Sequence, residues 1–181
     1  MVVGVPTPLD SPMNGPARRT ALELPFYRHV PGLTPHPVKH PEGHSYGLTE
    51  PSSQAGALGL PRVWRLSEDY LYGVDLFNLA YFWEAHEAWE AAWHAVGHHS
   101  TVGQFLQGLI QTAAALLKRH LQVDRGALSL LNKAGRRLDS VQRSAGPRQT
   151  YMGLELPPWR ETARQYVLRE AEQFPFIRLP D

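Results

Sequence analysis

Residues 77–93 read FNLAYFWEAHEAWEAAW, and this segment decides how the chain folds. At about 100° per residue, the angle of an α-helix, its apolar and aromatic residues fall on every side. A helix that is apolar all round is buried on most of its sides, so we expect this one at the centre of a bundle. Some of its carboxylates are then expected to be buried with it.

Helix signals continue on both sides of this segment. Asp75 is a candidate N-cap for a first helix that ends near Val96, where Gly97 stops it. Apolar residues at helical spacing predict further helices over residues 100–121, 124–142 and 159–174, with Pro175 ending the last one. Short loops join the first helices, and no strand-like alternation of useful length occurs. The sequence therefore predicts an all-α fold, a small antiparallel bundle of about four main helices.

Residues 1–60 have a different composition. Ten of the sixteen prolines lie there, and no amphipathic period runs through them. Proline removes a hydrogen-bond donor and biases its predecessor toward extended conformations, so we predict a Pro/Gly-rich arm that is partly disordered or docked on the domain. Docking is favoured for residues 25–47, and a loose tail is expected before about residue 22. Residues 61–181 are predicted to form the helical domain.

Three histidines of the arm, His36, His40 and His44, are spaced four residues apart. On a helix they would form a stripe of metal ligands, but Pro37 and Pro41 exclude that helix. An extended chain could still bring two of them to a metal ion, or insert His44 into a pocket on the domain. A plain polar loop is the simpler interpretation.

The composition excludes several classes of protein. Eighteen basic and seventeen acidic residues give a net charge of +1, so no whole-chain field attracts nucleic acid or a membrane. The absence of cysteine excludes disulfides and thiolate metal sites. Without a secretory signal or a long apolar run, the sequence predicts a soluble, cytoplasmic protein with no membrane partner. The basic residues between 118 and 148 are interpreted as a solvated face, so nucleic-acid binding is not expected.

The candidate site is a set of polar residues on the first two predicted helices: Glu84, His86, Glu87, Glu90, Gln107 and Gln111. A buried carboxylate must be hydrogen-bonded, ion-paired, protonated or metal-bound. We therefore expect a network between the two helices in which Glu84, His86 and Gln107 are coupled. The network is a satisfied structural core, a ligand or partner site, or a site where the histidine and glutamates bind a divalent metal or act as acid and base in a hydrolase.

Two known metal motifs do not fit this set. His86-Glu87 followed by Glu90 resembles half of the zinc-protease pattern, which needs a second histidine where Glu90 stands. A di-iron bundle needs a glutamate three residues before the histidine, and position 83 is Trp. No catalytic residue is therefore assigned, and a divalent metal is the one cofactor that the residues suggest. The sequence favours a structural or ligand- or partner-binding domain, with a metal-dependent hydrolase as the alternative.

Two motifs carry a family resemblance: the segment quoted above, and FLQGLIQTAAA in residues 105–115. Together with Gly126-Ala127, Leu130-Leu131 and the ending FPFIRL in residues 174–179, they resemble the signature of the DUF309 family over about residues 71–179. The resemblance implies a small all-helical bundle. The motif residues of the family correspond here to Glu84, His86, Glu87, Glu90, Gln107, Gly108 and Gln111. Because that family is defined by its lack of an assigned function, the resemblance implies no catalytic role.

Overall fold

The computed structural model describes residues 7–48, 61–147 and 149–181. The helices after residue 61 are α1 (Glu68–Asn78), α2 (Phe82–Val96), α3 (Thr101–His120), α4 (Asp124–Ser144) and α5 (Leu156–Val167). A 3-10 helix (Trp64–Leu66) precedes α1, and the short strands β1 (Thr150–Tyr151) and β2 (Leu154–Glu155) pair antiparallel. The predicted all-α bundle is confirmed, with five α-helices in these described ranges. None of the described helices has the length and apolar character needed to cross a bilayer.

The helices pack in chain order. α1 packs against α2, α2 against α3 and α3 against α4, while α5 closes the bundle against α3 and α4. Aromatic rings fill the centre, where the ring of Phe77 lies 5.9 Å from that of Trp89 and 6.1 Å from that of Trp159, centroid to centroid. Gly73 allows α2 to approach α1 closely, because a Cβ atom there would overlap the indole of Trp89.

The prediction of one first helix capped by Asp75 is wrong. The segment forms two helices, and Asp75 lies inside α1 rather than at its start. α1 ends in a Schellman motif, in which the N–H of Tyr81 bonds to the carbonyl of Leu76. The N–H of Ala80 bonds in turn to the carbonyl of Phe77. Ala80 adopts a φ of 62°, a left-handed conformation that glycine usually supplies, so the break carries no glycine signal.

The later helices agree better with their sequence signals. Ser100 caps α3 at the start of the predicted 100–121 segment, α2 ends before Gly97, and α4 covers the predicted 124–142 segment. α5, however, ends at Val167 instead of near residue 174. Arg169, with a φ of 61°, ends it in a second motif of the same kind, so Pro175 is not the stop signal. Residues 169–181 continue as an extended tail.

The described part of the arm, residues 7–48, lies against α1, α2 and the C-terminal tail. The loose tail predicted before residue 22 differs from what is seen, because Arg19 and Thr20 are hydrogen-bonded to Asp75. Nearer the start of the arm, the carbonyl oxygen of Thr7 lies 2.7 Å from Nε2 of His120. The bonds to Asp75 follow from burial, since a buried carboxylate that is covered by the arm must find its hydrogen-bond partners in it.

Candidate functional site

Glu84, in the first turn of α2, is a buried carboxylate that is 5% exposed. Its Oε1 accepts a hydrogen bond from the main-chain N–H of His29 at 2.8 Å. The same oxygen lies 3.0 Å from Nε2 of His44, whose side chain is also buried. Both partners belong to the arm, so this carboxylate joins the arm to the helical domain.

The second oxygen of Glu84 has a different environment. Oε2 is buried, and within the described ranges no hydrogen-bond donor reaches it. A buried polar atom without a partner costs about 1–3 kcal/mol and more for a charged group. Glu84 therefore keeps an unused acceptor at the boundary between the arm and the domain.

His44 is held in place by groups of the arm itself. Its Nδ1 lies 2.9 Å from Oγ of Ser45, and its main-chain N–H donates to the hydroxyl of Tyr27 at 3.3 Å. The rings of Tyr27 and His44 are 4.7 Å apart between centroids. Of the arrangements that the sequence left open for the arm histidines, this one corresponds to insertion of His44 against the domain.

The other arm histidines do not join Glu84 through their rings. His29 lies with its Nδ1 3.0 Å from Oγ1 of Thr34, and burial lowers the pKa of its imidazole, although the nearby carboxylate of Glu84 acts in the opposite direction. Nδ1 of His36 and Nδ1 of His40 accept from main-chain N–H groups of the arm. The geometry therefore gives these rings a role in shaping the arm.

Asp75 is a second buried carboxylate, 2% exposed, that binds the arm. It accepts the main-chain N–H groups of Arg19 at 2.7 Å and of Thr20 at 2.8 Å. The hydroxyl of Thr20 donates to it at 2.8 Å, and the guanidinium of Arg18 lies 3.8 Å away. Sequence reasoning assigned Asp75 to a helix cap, because an aspartate before an apolar helical segment is the usual cap signal.

Asn78, one turn later on α1, binds the C-terminal tail in the same manner. Its Nδ2 donates to the carbonyl oxygen of Ile177 at 2.9 Å, and its Oδ1 accepts the N–H of Ile177 at 2.8 Å. Both residues are buried. The sequence analysis missed this contact, and the available signal was a polar residue three positions after Asp75 in an otherwise apolar helix.

His86, Glu87 and Glu90 form a separate cluster on α2. Each offers one ligand atom, and these three atoms all lie within 4.8 Å of one another. Nε2 of His86 is 3.3 Å from Oε2 of Glu90, and both side chains are partly exposed. In the part of the chain that the structure describes, no other three histidines or acidic residues come together in this way. At about 100° per residue, Glu84 lies about 160° around the helix from His86, so the predicted set is divided between two faces.

Gln107 and Gln111, the α3 members of the predicted set, are half-buried. Among the described residues no hydrogen bond joins Gln107 to Glu84, so the expected network between the first two helices is replaced by bonds to the arm. Oε1 of Gln111 is buried and has no partner there. Gln104, also on α3, makes two hydrogen bonds: it donates to the carbonyl of His98 and accepts from Arg137.

One comparison with known proteins gives a match. Residues 70–130 match the family DUF309, described as a domain of unknown function. These residues span α1, α2, α3 and the start of α4, and the match confirms the resemblance over that segment. No curated protein and no solved structure matches the chain.

Proposed function

We propose that this protein is a partner-binding domain whose α1–α2 surface holds extended polypeptide by its main chain, with its own arm as the resident occupant. The observation that carries the proposal is where the buried polar side chains of α1 and α2 direct their hydrogen bonds. Asp75 and Glu84 accept main-chain N–H groups of the arm, and Asn78 binds the main chain of the C-terminal tail in the same manner. Each is at least nine-tenths buried.

The chemistry of these side chains suits main-chain recognition. Carboxylates accept hydrogen bonds only, and a bond from an N–H group to an ionised acceptor is about twice as strong as a neutral one. An asparagine carboxamide can donate and accept at once, so Asn78 matches the paired N–H and C=O of one residue. Such groups recognise an extended backbone and make few demands on its side chains.

The arm also contributes a side-chain contact to this surface. Arg28 donates from Nε to the carbonyl of Leu79 at 2.7 Å, and its guanidinium lies 4.4 Å from the centre of the Tyr81 ring. That carbonyl belongs to the C-cap residue of α1. A cation at a helix C-terminus is favoured by the helix dipole. The preferred occupant is accordingly an extended segment with free N–H groups and a basic residue between them.

We expect the arm to stay bound after the chain is cut between it and the helices. A specific protease site placed within residues 49–60 of the full-length protein would be cleaved after folding, and the two fragments should co-elute in size-exclusion chromatography. Asp75→Ala removes the acceptor of three hydrogen bonds, and a hydrogen bond to a charged group contributes about 1.5–3 kcal/mol. We therefore expect the dissociation constant of the complex to rise more than about 100-fold. Dilution of the cleaved protein measures the dissociation constant.

Glu68→Gln is the matched control for that experiment. Glu68 is an exposed carboxylate on the same helix, so its loss changes the charge of α1 by the same amount. The cleaved Glu68→Gln protein should retain its arm as the parent does. Separation of the parent fragments at micromolar concentration, or equal retention in Asp75→Ala, would contradict the proposal.

A second candidate function is divalent-metal binding at His86, Glu87 and Glu90, and the specific observation in its favour is the convergence of their ligand atoms. One imidazole and two carboxylates form a donor set that zinc, iron and manganese accept. Three protein ligands would leave a coordination position open for water, as a hydrolytic metal requires. Two clefts of the structure, of about 570 and 540 Å³, are lined by other residues, so metal binding is proposed here without a substrate.

Protein purified without an affinity tag or chelator should carry about one equivalent of metal if this second function holds. His86→Ala should abolish the binding, because it removes the one nitrogen ligand of the cluster. Glu84→Ala should keep the metal, since Glu84 faces the arm. Elemental analysis and native mass spectrometry measure both outcomes. An unchanged number of bound metal ions in His86→Ala, or no binding when zinc or manganese is added to the parent protein, would exclude this site.

A further inference from the structure

His94 and His98 form a pair where α2 ends. His94 lies in the last turn of the helix, and His98 is two residues beyond its end. Nδ1 of His94 and Nε2 of His98 are 3.2 Å apart, and both side chains are exposed. In this arrangement an N–H group of one imidazole donates a hydrogen bond to the ring nitrogen of the other.

The separation of the two nitrogens also suits a shared metal ion. Zinc and similar metals bind imidazole nitrogen at about 2.0–2.1 Å. Two such nitrogens are then about 3.0 Å apart at a right angle around the metal, and about 3.4 Å apart at the tetrahedral angle. The observed distance falls between these values, so the spacing of the two nitrogens fits one shared ion.

The loop after α2 holds His98 in this position. The imidazole stacks on the indole of Trp93, with 3.9 Å between centroids and 11° between planes. Nε2 of Gln104 donates to the main-chain carbonyl of His98 at 2.8 Å. Gly97 makes the turn with a φ of 82°, and its carbonyl accepts from the hydroxyl of Ser100 at 2.8 Å. A ring that is already placed loses less conformational freedom when it binds a ligand.

The charges around the pair favour a cation. The end of α2 carries the partial negative charge of its last carbonyl groups, which stabilises positive charge nearby. Glu90, four residues before His94, lies on the same side of the helix and adds an acidic group. The positive charge of Arg137 acts against a bound cation, and its guanidinium is hydrogen-bonded to Oε1 of Gln104 at 2.7 Å.

We infer that His94 and His98 form a binding site for a transition-metal cation of the kind that prefers imidazole, namely Cu²⁺, Ni²⁺ or Zn²⁺. Coordination through Nε2 of His98 places the proton of that ring on Nδ1, so the imidazole stays neutral and no net proton transfer is needed. Water fills the remaining positions. The site is distinct from the His86 cluster, because eight residues of helix separate His86 from His94 by about 12 Å.

Cu²⁺ is the probe for the experiment, because it quenches the fluorescence of a nearby indole and Trp93 is in contact with His98. We expect saturable quenching by one equivalent of Cu²⁺ in full-length His86→Gln protein. This protein lacks the nitrogen ligand of the other cluster, so the neighbouring indole of Trp83 does not act as a second reporter. Trp93→Phe should remove the quenched signal and leave the binding detectable by calorimetry. His94→Gln and His98→Gln should each weaken binding by at least about tenfold. Substitution of a residue that only supports a metal ligand already lowers metal affinity by about this factor.

His99→Gln is the matched control, because His99 is the exposed neighbour that takes no part in the pair. In the His86→Gln protein, this further substitution should leave the binding of Cu²⁺ and the quenching unchanged. These substitutions are on the surface, so circular dichroism should show unchanged folding. Absence of saturable binding up to about millimolar Cu²⁺, or equal loss in His99→Gln, would overturn the inference.

Discussion

Asn78→Leu is expected to lower the free energy of unfolding by about 3 kcal/mol or more. Leucine has nearly the same shape, but it can neither donate to nor accept from the main chain of Ile177. Both Ile177 groups then stay buried without a partner, at a cost of about 1–3 kcal/mol for each. Denaturant unfolding of the full-length protein, followed by circular dichroism, measures the change.

Asn132→Leu provides the comparison for this substitution. Asn132 is exposed on α4, so the same chemical change there should stay within about 0.5 kcal/mol of the parent protein. A similar loss in both variants would mean that leucine disfavours the fold in general. A stable Asn78→Leu variant would mean that the C-terminal tail does not depend on the α1 carboxamide.

Trp89→Ala should destabilise the protein by about 3–5 kcal/mol, as truncation of a large buried aromatic residue generally does. Trp89 has no exposed surface, and its Nε1 donates to the carbonyl of Tyr70 at 3.1 Å. The indole also packs directly against the backbone of α1 at Gly73, and this contact would be lost. Thermal and denaturant unfolding should both show the loss.

Trp89→Phe separates the two parts of that effect. The variant keeps an aromatic ring in the core but leaves the Tyr70 carbonyl without its donor, so we expect an intermediate loss of stability. If Trp89→Ala unfolds at the same denaturant concentration as the parent, the aromatic centre of the bundle is not the main source of its stability.

The sequence predicts α3 and α4 well because their signals are local. A serine cap and a continuous apolar stripe define α3 within its own residues. The break between α1 and α2 is not predictable in this way, since Ala80 occupies a left-handed position where glycine would have given a signal. The end of α5 is not predictable for the same reason, because Arg169 takes the left-handed position. Pro175, which the sequence analysis took as the end of the helix, lies beyond it.

The candidate site was predictable in part. Apolar residues all around residues 77–93 correctly indicate that Glu84 is buried. Periodicity shows that a helix face is buried, but it does not show which segment covers that face. The sequence analysis therefore expected the hydrogen-bond partner of Glu84 on α3, which has a helical period, and not in the arm, which has none. His86, Glu87 and Glu90 came together because they are close in sequence on one helix. The pairing of His44 with Glu84 spans forty residues and has no local signal.

Recognition of the arm through its main chain determines where proline is tolerated. The arm is rich in proline, yet residues 19, 20 and 29 are Arg, Thr and His, each with the N–H that a buried carboxylate accepts. Proline at residue 19 or 20 would remove an N–H donor from the buried carboxylate of Asp75, and proline at residue 29 would leave Oε1 of Glu84 with His44 as its one partner among the described residues. Proline is also excluded where the turns of the arm use main-chain N–H groups, as at Leu33, Thr34, His40 and Gly43. Related chains that keep this arm would therefore avoid proline at all of these positions, and they would also keep Arg28 and His44 for their side-chain contacts with the helical domain.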